Sequence, residues 1–266
     1  MDKLIELGIH SQKILPNFAV NNFTKNTCSL LGKSRKNSDR LNFAKTYKVN
    51  WKQATLCQNS PNLESCVKQF NNLDSLFQRR ILPEFTKPES TKQGAIISPA
   101  ESYVRKVNAT KNFKIKGANY TLSKLIQEDT ISPKSTIYIF RLAPEHYHRI
   151  HSPTTSRISK IIEQGGNYHS VNPIMLESTP VLQENYRKII TFENGIILVA
   201  VGATCVGSVH LSVKVNAKVK HGQDLGTFGF GGSCIVLVVP HEIIKTHIKL
   251  TTNEKHIMPG ALIASY

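Results

Sequence analysis

Ile196-Ile197-Leu198-Val199-Ala200-Val201-Gly202-Ala203-Thr204-Cys205-Val206-Gly207 is the longest mostly apolar run in the chain. It is too short to cross a bilayer and is broken by glycines, so it reads as a buried strand. Further β-rich runs flank it at Ala95–Ile97, Thr136–Phe140, Ser208–Val215 and Ile235–Val239, separated by Gly, Pro or Asn. Val209, Leu211, Val213 and Val215 alternate with polar residues, which predicts antiparallel sheet with one covered face. No internal repeat is present.

Upstream of Pro88 the spacing changes. Val67, Phe70, Leu73, Leu76 and Phe77 line one face of a predicted helical stretch. Residues 21–39 are rich in Asn, Ser, Thr and Lys and read as a loop or linker. Met1 to Leu15 sets Leu4, Ile5, Ile9 and Leu15 at helical intervals between Asp2, Lys3, Glu6 and Lys13. Two readings stay open there: an amphipathic helix lying on lipid, or a helix packed on its own domain. The fold class is therefore α+β, an N-terminal helical region followed by a β-rich, mainly antiparallel body.

The 266 residues can bury a substantial core, and 40% hydrophobic with 20% charged content is ordinary for a folded protein. The balance of charge is not. Thirty-four Lys and Arg against 18 Asp and Glu leave a net +16. Such an excess favours a polyanionic partner, either nucleic acid or an anionic lipid surface, and charge alone does not choose between them. The N-terminal stretch lacks the cationic segment and apolar block of a secretory signal, so membrane contact is expected to be peripheral. The five cysteines, Cys28, Cys57, Cys66, Cys205 and Cys234, form no CxxC pair and no metal-ligand spacing. A Cys57–Cys66 bridge needs an oxidising compartment; reduced thiols are the expectation.

Three separated segments carry candidate chemistry. Arg141-Leu142-Ala143-Pro144-Glu145-His146-Tyr147-His148-Arg149-Ile150-His151-Ser152-Pro153 follows a predicted strand and holds three of the ten histidines. Alone, such a cluster suits metal ligation, acid–base chemistry or loop decoration. Gly229-Phe230-Gly231-Gly232-Ser233-Cys234 runs into the strand Ile235–Val239. Its glycines permit backbone angles and close access to the carbonyl before Ser233, as a β-bulge or tight turn also would. Ile96-Ile97-Ser98-Pro99-Ala100-Glu101-Ser102 ends a strand in a turn with one carboxylate.

Together these segments resemble the phosphatidylserine decarboxylase family. Its Arg-Leu-x-Pro-x-x-Tyr-His-Arg-x-His-x-Pro pattern is matched from Arg141 to Pro153. Its Val-Gly-Ala-Thr-x-Val-Gly-Ser strand is matched from Val201 to Ser208, and its Gly-x-x-Leu-Gly-x-Phe-x-Phe-Gly-Gly-Ser-Thr run from Gly222 to Cys234, except at the last position. Weaker likeness covers Phe77–Leu82 and Ile115–Leu122, so the resemblance spans about residues 65 to 240.

The resemblance implies a catalytic domain over 65–266 behind a helical or linker region over 1–64, with a role in membrane docking open for the latter. It implies self-cleavage between Gly232 and Ser233 into a long chain, 1–232, and a short chain, 233–266. Ser233 then becomes a covalent pyruvoyl group, which takes the substrate amine as a Schiff base and accepts the electrons released with carbon dioxide. By the same resemblance His151 is the base for self-cleavage, Glu101 orients it, and His148 is the candidate proton donor in decarboxylation. Phosphatidylserine is the implied substrate and phosphatidylethanolamine the product. An anionic phospholipid surface is the implied partner, rather than nucleic acid. A homodimer is a family-level expectation, no metal is expected, and the implied location is peripheral on a bacterial, mitochondrial or endomembrane surface.

Two positions depart from the family pattern. Glu101-Ser102 stands where Asp-Gly is usual, and the longer carboxylate predicts slower self-cleavage rather than none. Cys234 replaces the usual Thr or Ser and reads as a small side chain in a buried strand. Two alternative readings are a pyruvoyl decarboxylase of a soluble amino acid and a non-catalytic lipid-binding relative.

Overall fold

A computed structural model describes residues 17–22, 26, 28–108, 112–128, 132, 135–205, 208–243, 245–251 and 253–266. The amphipathic stretch Met1–Leu15 lies outside the described residues.

The centre of the fold is an antiparallel sheet of eight strands: β1 Ser102–Asn108, β2 Thr136–Leu142, β3 Ser156–Gln164, β4 Arg187–Phe192, β5 Ile197–Gly202, β6 Lys218–Val219, β7 Ser233–Val239 and β8 Lys255–Ile257. Their order across the sheet is β6-β3-β4-β5-β7-β2-β1-β8. Strands β5, β7 and β2 form its middle, and every residue of β5 and β7 is buried. Ile235, Leu237 and Val239 point into one core with Phe140 and Leu198. Cys234, Val236 and Val238 point into a second core with Ile137 and Val199.

Both faces of the central sheet are thus covered; the alternation that predicts one covered face belongs to a separate, smaller sheet, where Val209 is buried and His210 exposed. Burial on two sides is why the central strands read as unbroken apolar runs rather than alternations. One face carries a smaller antiparallel sheet of Val209–Leu211, Asp224–Phe228 and Arg149–His151. The other packs against short helices Leu122–Ile126, Pro173–Ser178 and Val181–Glu184. The strand expected over Ser208–Val215 forms only at Val209–Leu211; Val215 is exposed.

Residues 28 to 85 build a third layer with its own core of Phe43, Val67, Phe70, Leu76 and Phe77, closed by Cys205 and Phe230 from the β body. The single predicted helix is two, Leu63–Val67 and Leu73–Phe77. Asn62 and Asn72 each begin a helix by accepting the amide of the residue three places on. The predicted loop over 21–39 is partly helical, at Ser29–Gly32 and from Asn37 into Asn37–Thr46. Neither helix start is capped by a side chain, but Asp39 lies in the first turn of the second, where a carboxylate complements the helix dipole. Fully burying a side chain such as Leu76 or Phe77 contributes about 1.5–3 kcal/mol.

The thiol expectation is corrected as well. Cys28 is joined to Cys205, 177 residues away, and Cys57 to Cys66; only Cys234 is free among the described cysteines. The first bridge fastens the helical layer to the end of β5.

Candidate active site

Ser233 opens β7 with no exposed surface, directly opposite Leu142 of β2 and Gly202 of β5. The turn before it needs glycine: Gly231 sits at φ +134°, where a side chain is strained. The amide of Gly232 donates to the carbonyl of Thr204 at 3.3 Å, tying the turn to the end of β5. A cavity of about 140 Å³ lies beside this turn, walled by Phe77, Arg141, Asn172, Thr204 and Phe230.

His148 is the histidine that meets Ser233. Its Nδ1 lies 3.1 Å from the serine hydroxyl, and its Nε2 lies 2.9 Å from the carbonyl of Ala143. A carbonyl only accepts, so Nε2 carries the proton and Nδ1 presents a lone pair to the Ser233 O–H. Phe77 stacks on the ring at 3.8 Å between centroids. Burial holds this imidazole well below the usual histidine range, against the raising effect of the Ala143 carbonyl, and the nearby Arg79 guanidinium lowers it further. A fully buried, neutral histidine with an open lone pair is equipped to accept a proton.

His151 is elsewhere. Its Nδ1 donates to the carbonyl of Gly222 at 2.7 Å, and its Nε2 receives the Tyr147 hydroxyl at 3.0 Å. Both ring nitrogens are engaged, and no hydrogen bond joins His151 to Ser233. No hydrogen bond joins Glu101 to His151 either. Its Oε2 accepts the backbone amide of Tyr147 at 2.9 Å and its Oε1 faces Nε2 of His256 at 3.3 Å. The three residues expected to act as Glu101, His151 and Ser233 in line are therefore not in line. The carboxylate holds the loop backbone, and the adjacent histidine reaches the serine. The extra methylene of Glu101 accompanies this placement on the loop backbone.

Glu101, His146 and His256 bring ligand-type atoms within 4.8 Å of one another. His146, however, accepts the Ala143 amide at Nδ1 at 3.1 Å, so the neutral ring carries its proton on Nε2. That tautomer offers no second lone pair to a cation. Burial, reinforced by His256, lowers this imidazole to about 3. The cluster braces the loop.

Cys234 faces the core on the side of the sheet opposite to the Ser233 side chain, and burial pushes its thiol up to about 12. It is inert packing. Several partners were not singled out from sequence: the stacking of Phe77, the Ala143 carbonyl, His256, and the Arg141–Glu254 pair. Arg79 is another, buried with one nitrogen on the Glu145 carbonyl at 2.7 Å. Phe77 and Arg141 lie inside the quoted motifs, so a signal existed for them; His256 lies beyond the motif-bearing span.

A buried serine behind two glycines, with a histidine lone pair at its hydroxyl, is set into the end of an antiparallel sheet. Residues 73–264 match the family model described as phosphatidylserine decarboxylase, and the chain belongs to that family. Phosphatidylserine decarboxylase proenzyme 2 of Saccharomyces cerevisiae is 35% identical over 195 residues, covering 68% of this chain. The protein of the same description from Komagataella phaffii is 34% identical over 214 residues, covering 73% of this chain. The chain spans only 17% and 21% of the lengths of these two relatives. A phosphatidylserine decarboxylase proenzyme from Clostridium botulinum is 31% identical over 212 residues, 76% of this chain and 70% of its own.

Proposed function

We propose that the chain decarboxylates phosphatidylserine after cutting its own backbone between Gly232 and Ser233. The observation that carries this is the 3.1 Å approach of the His148 Nδ1 lone pair to the Ser233 hydroxyl, behind the Gly231–Gly232 turn.

A serine hydroxyl is a weak nucleophile until a neighbour takes its proton. His148 accepts that proton as Oγ adds to the carbonyl carbon of Gly232. The Gly232–Ser233 amide bond then breaks, the Ser233 nitrogen takes a proton, and an ester replaces the amide. Loss of the α-proton expels Gly232 as a carboxylate and leaves a dehydroalanine. Water adds and ammonia departs, so the short chain begins with a ketone where Ser233 stood. Because Ala143 fixes the His148 tautomer, this lone pair stands ready without any rearrangement.

The surroundings suit a pyruvoyl group: position 233 is buried and dry, and the cavity reaches the neighbouring Gly232. Such a group serves as an electron sink for the carbanion left when carbon dioxide departs. The chain's part is to exclude water, which the Phe77 and Phe230 walls do, and to hold a proton carrier at position 148. The cavity, at about 140 Å³ and walled mostly by apolar side chains, has room for a lipid head group.

A net +16 and the exposed Leu30 and Ile174 support docking on an anionic lipid surface. Ile174 sits two residues from the cavity wall at Asn172. No helix among the described residues is long and apolar enough to cross a membrane.

Carboxyl-labelled phosphatidylserine in anionic vesicles tests the reading. Labelled carbon dioxide is expected from matured protein and none from Ser233→Ala. Release from soluble amino acids but not from the lipid contradicts the lipid assignment.

A further inference from the structure

Among the residues that wall the cavity beside Gly232, Arg141 alone is ionised. It lies in β2, paired with Cys234 of β7, so its side chain leaves the sheet on the Cys234 face, at the end of the strand where the cavity also meets Gly232. Its guanidinium stands 4.9 Å over the Tyr103 ring. Nε reaches the Glu254 carboxylate at 3.0 and 3.2 Å and Nη2 reaches it at 2.6 Å. Nη1 makes no hydrogen bond with any described residue.

The charge around it does not cancel. Glu254 is shared with Arg105 at 2.7 Å, and Arg105 and Lys116 share Glu177 at 3.6 and 3.0 Å. Three cations thus face two carboxylates; Lys116 among them is exposed to solvent, whereas Arg105 and Arg141 are largely buried. A guanidinium fixed by a carboxylate, with one nitrogen unpaired among the described residues and on a residue that lines a cavity, is a preorganised donor for an oxyanion.

Resting on the decarboxylase reading of this site, we infer that Arg141 binds the phosphodiester of the lipid head group through Nη1. The substrate has a second anion, its carboxylate, and chemistry separates the two. A carboxylate gives up its charge as carbon dioxide forms, so a cation bound to it stabilises the starting state more than the transition state. A phosphodiester keeps its charge throughout, and holding it orients the head group without opposing the reaction. The carboxylate is then left to the apolar wall of Phe77 and Phe230.

The test uses uncleavable protein, so it does not depend on turnover. Ser233→Ala and Ser233→Ala/Arg141→Gln are titrated with glycerophosphoethanolamine, which carries the phosphodiester and no carboxylate, and with ethanolamine. Glycerophosphoethanolamine affinity is expected to fall about 10-fold or more in the Arg141→Gln protein, the scale of a lost charged hydrogen bond, while ethanolamine is unchanged. Equal affinity in the two proteins, with both melting cooperatively, overturns the assignment. Arg141→Lys, which keeps the charge without the fork, covers a misfolded Gln variant and is expected to bind at an intermediate level. Binding as tight as the parent's in the Lys variant also contradicts a role for the guanidinium fork. In cleaved protein the same substitution is expected to raise KM with kcat little changed. Absence of carbon dioxide release from the unsubstituted protein would refute the decarboxylase reading alone, since the titration stands apart from it.

Discussion

At the inner end of the 141–153 segment His148 is dry, stacked on Phe77, and joined to Ser233 and the Ala143 carbonyl. Three residues on, His151 is nearly as buried, yet its nitrogens are spent on the Gly222 carbonyl and the Tyr147 hydroxyl. The two rings differ less in burial than in where each proton is pinned. A carbonyl partner on Nε2 leaves His148 an open acceptor at the nucleophile; a carbonyl on Nδ1 and a phenol on Nε2 leave His151 none. The inner ring presents a lone pair to the serine hydroxyl, and the outer ring has both nitrogens held by the fold.

Removing the rings separates these roles most sharply. His148→Ala is expected to slow self-cleavage by about 10²–10⁴-fold, the usual worth of a positioned base, with the fold kept. His151→Ala is expected to cost about 1–3 kcal/mol of stability, because buried groups at Gly222 and Tyr147 lose partners, and to slow cleavage far less. Time courses on denaturing gels and thermal melts read both. The opposite ranking of cleavage rates reverses the assignment.

The inner end also depends on the helical layer, which brings Phe77 to the His148 ring. In the chain-entropy picture the Cys28–Cys205 bridge contributes about 5 kcal/mol, and the short Cys57–Cys66 loop about 3 kcal/mol. Replacing Cys28 and Cys205 by Ser is therefore expected to lower the melting temperature more than replacing Cys57 and Cys66. It is expected to slow cleavage as well, by loosening Phe77. Cleavage unchanged in that variant would separate His148 from the helical layer.

Acid should act on the two states unequally. An unfolded histidine titrates near 6.5, whereas folded His146 titrates at about 3 and His148 well below 6.5. Between these values the unfolded chain binds protons that the folded chain does not. Stability is thus full above about pH 6.5 and falls as pH drops toward about 3. His146→Gln is expected to flatten that acid limb in melts. The wild-type cleavage rate is expected to stay level from about pH 8 to 6, since His148 remains neutral; a fall centred at an ordinary histidine value contradicts its burial. The smallest effect is at Glu101. An amide side chain there still offers an oxygen to the Tyr147 amide, so Glu101→Gln is expected to change the cleavage rate by no more than about 3-fold, consistent with a net hydrogen bond of about 1 kcal/mol.

The β body was legible because strands buried on both faces must be apolar along their whole length, as Ile197–Gly202 and Ser233–Val239 are. The helical layer was less so. Asn62 and Asn72 act as helix starts, but Asn also makes loops, which is why the Asn-rich residues 21–39 read as a linker. The disulfide from Cys28 to Cys205 joins residues with no local relation, so spacing carried no sign of it. In the candidate site, Ser233, His148, His151 and Glu101 were all singled out by motif, whereas the contact between His148 and Ser233 was not legible. That depends on a strand register, Ser233 against Leu142, and on backbone carbonyls that leave no mark in side-chain identity.

Intact mass measurement of the purified protein, beside Ser233→Ala and His148→Ala, tests the central claim most directly. The predicted result is two species from the unsubstituted protein, residues 1–232 and 233–266, the shorter one resistant to amino-terminal sequencing, and a single full-length species from Ser233→Ala with slowed conversion in His148→Ala. Persistence of one full-length species in unsubstituted protein after prolonged incubation, or a break at any other bond, contradicts it.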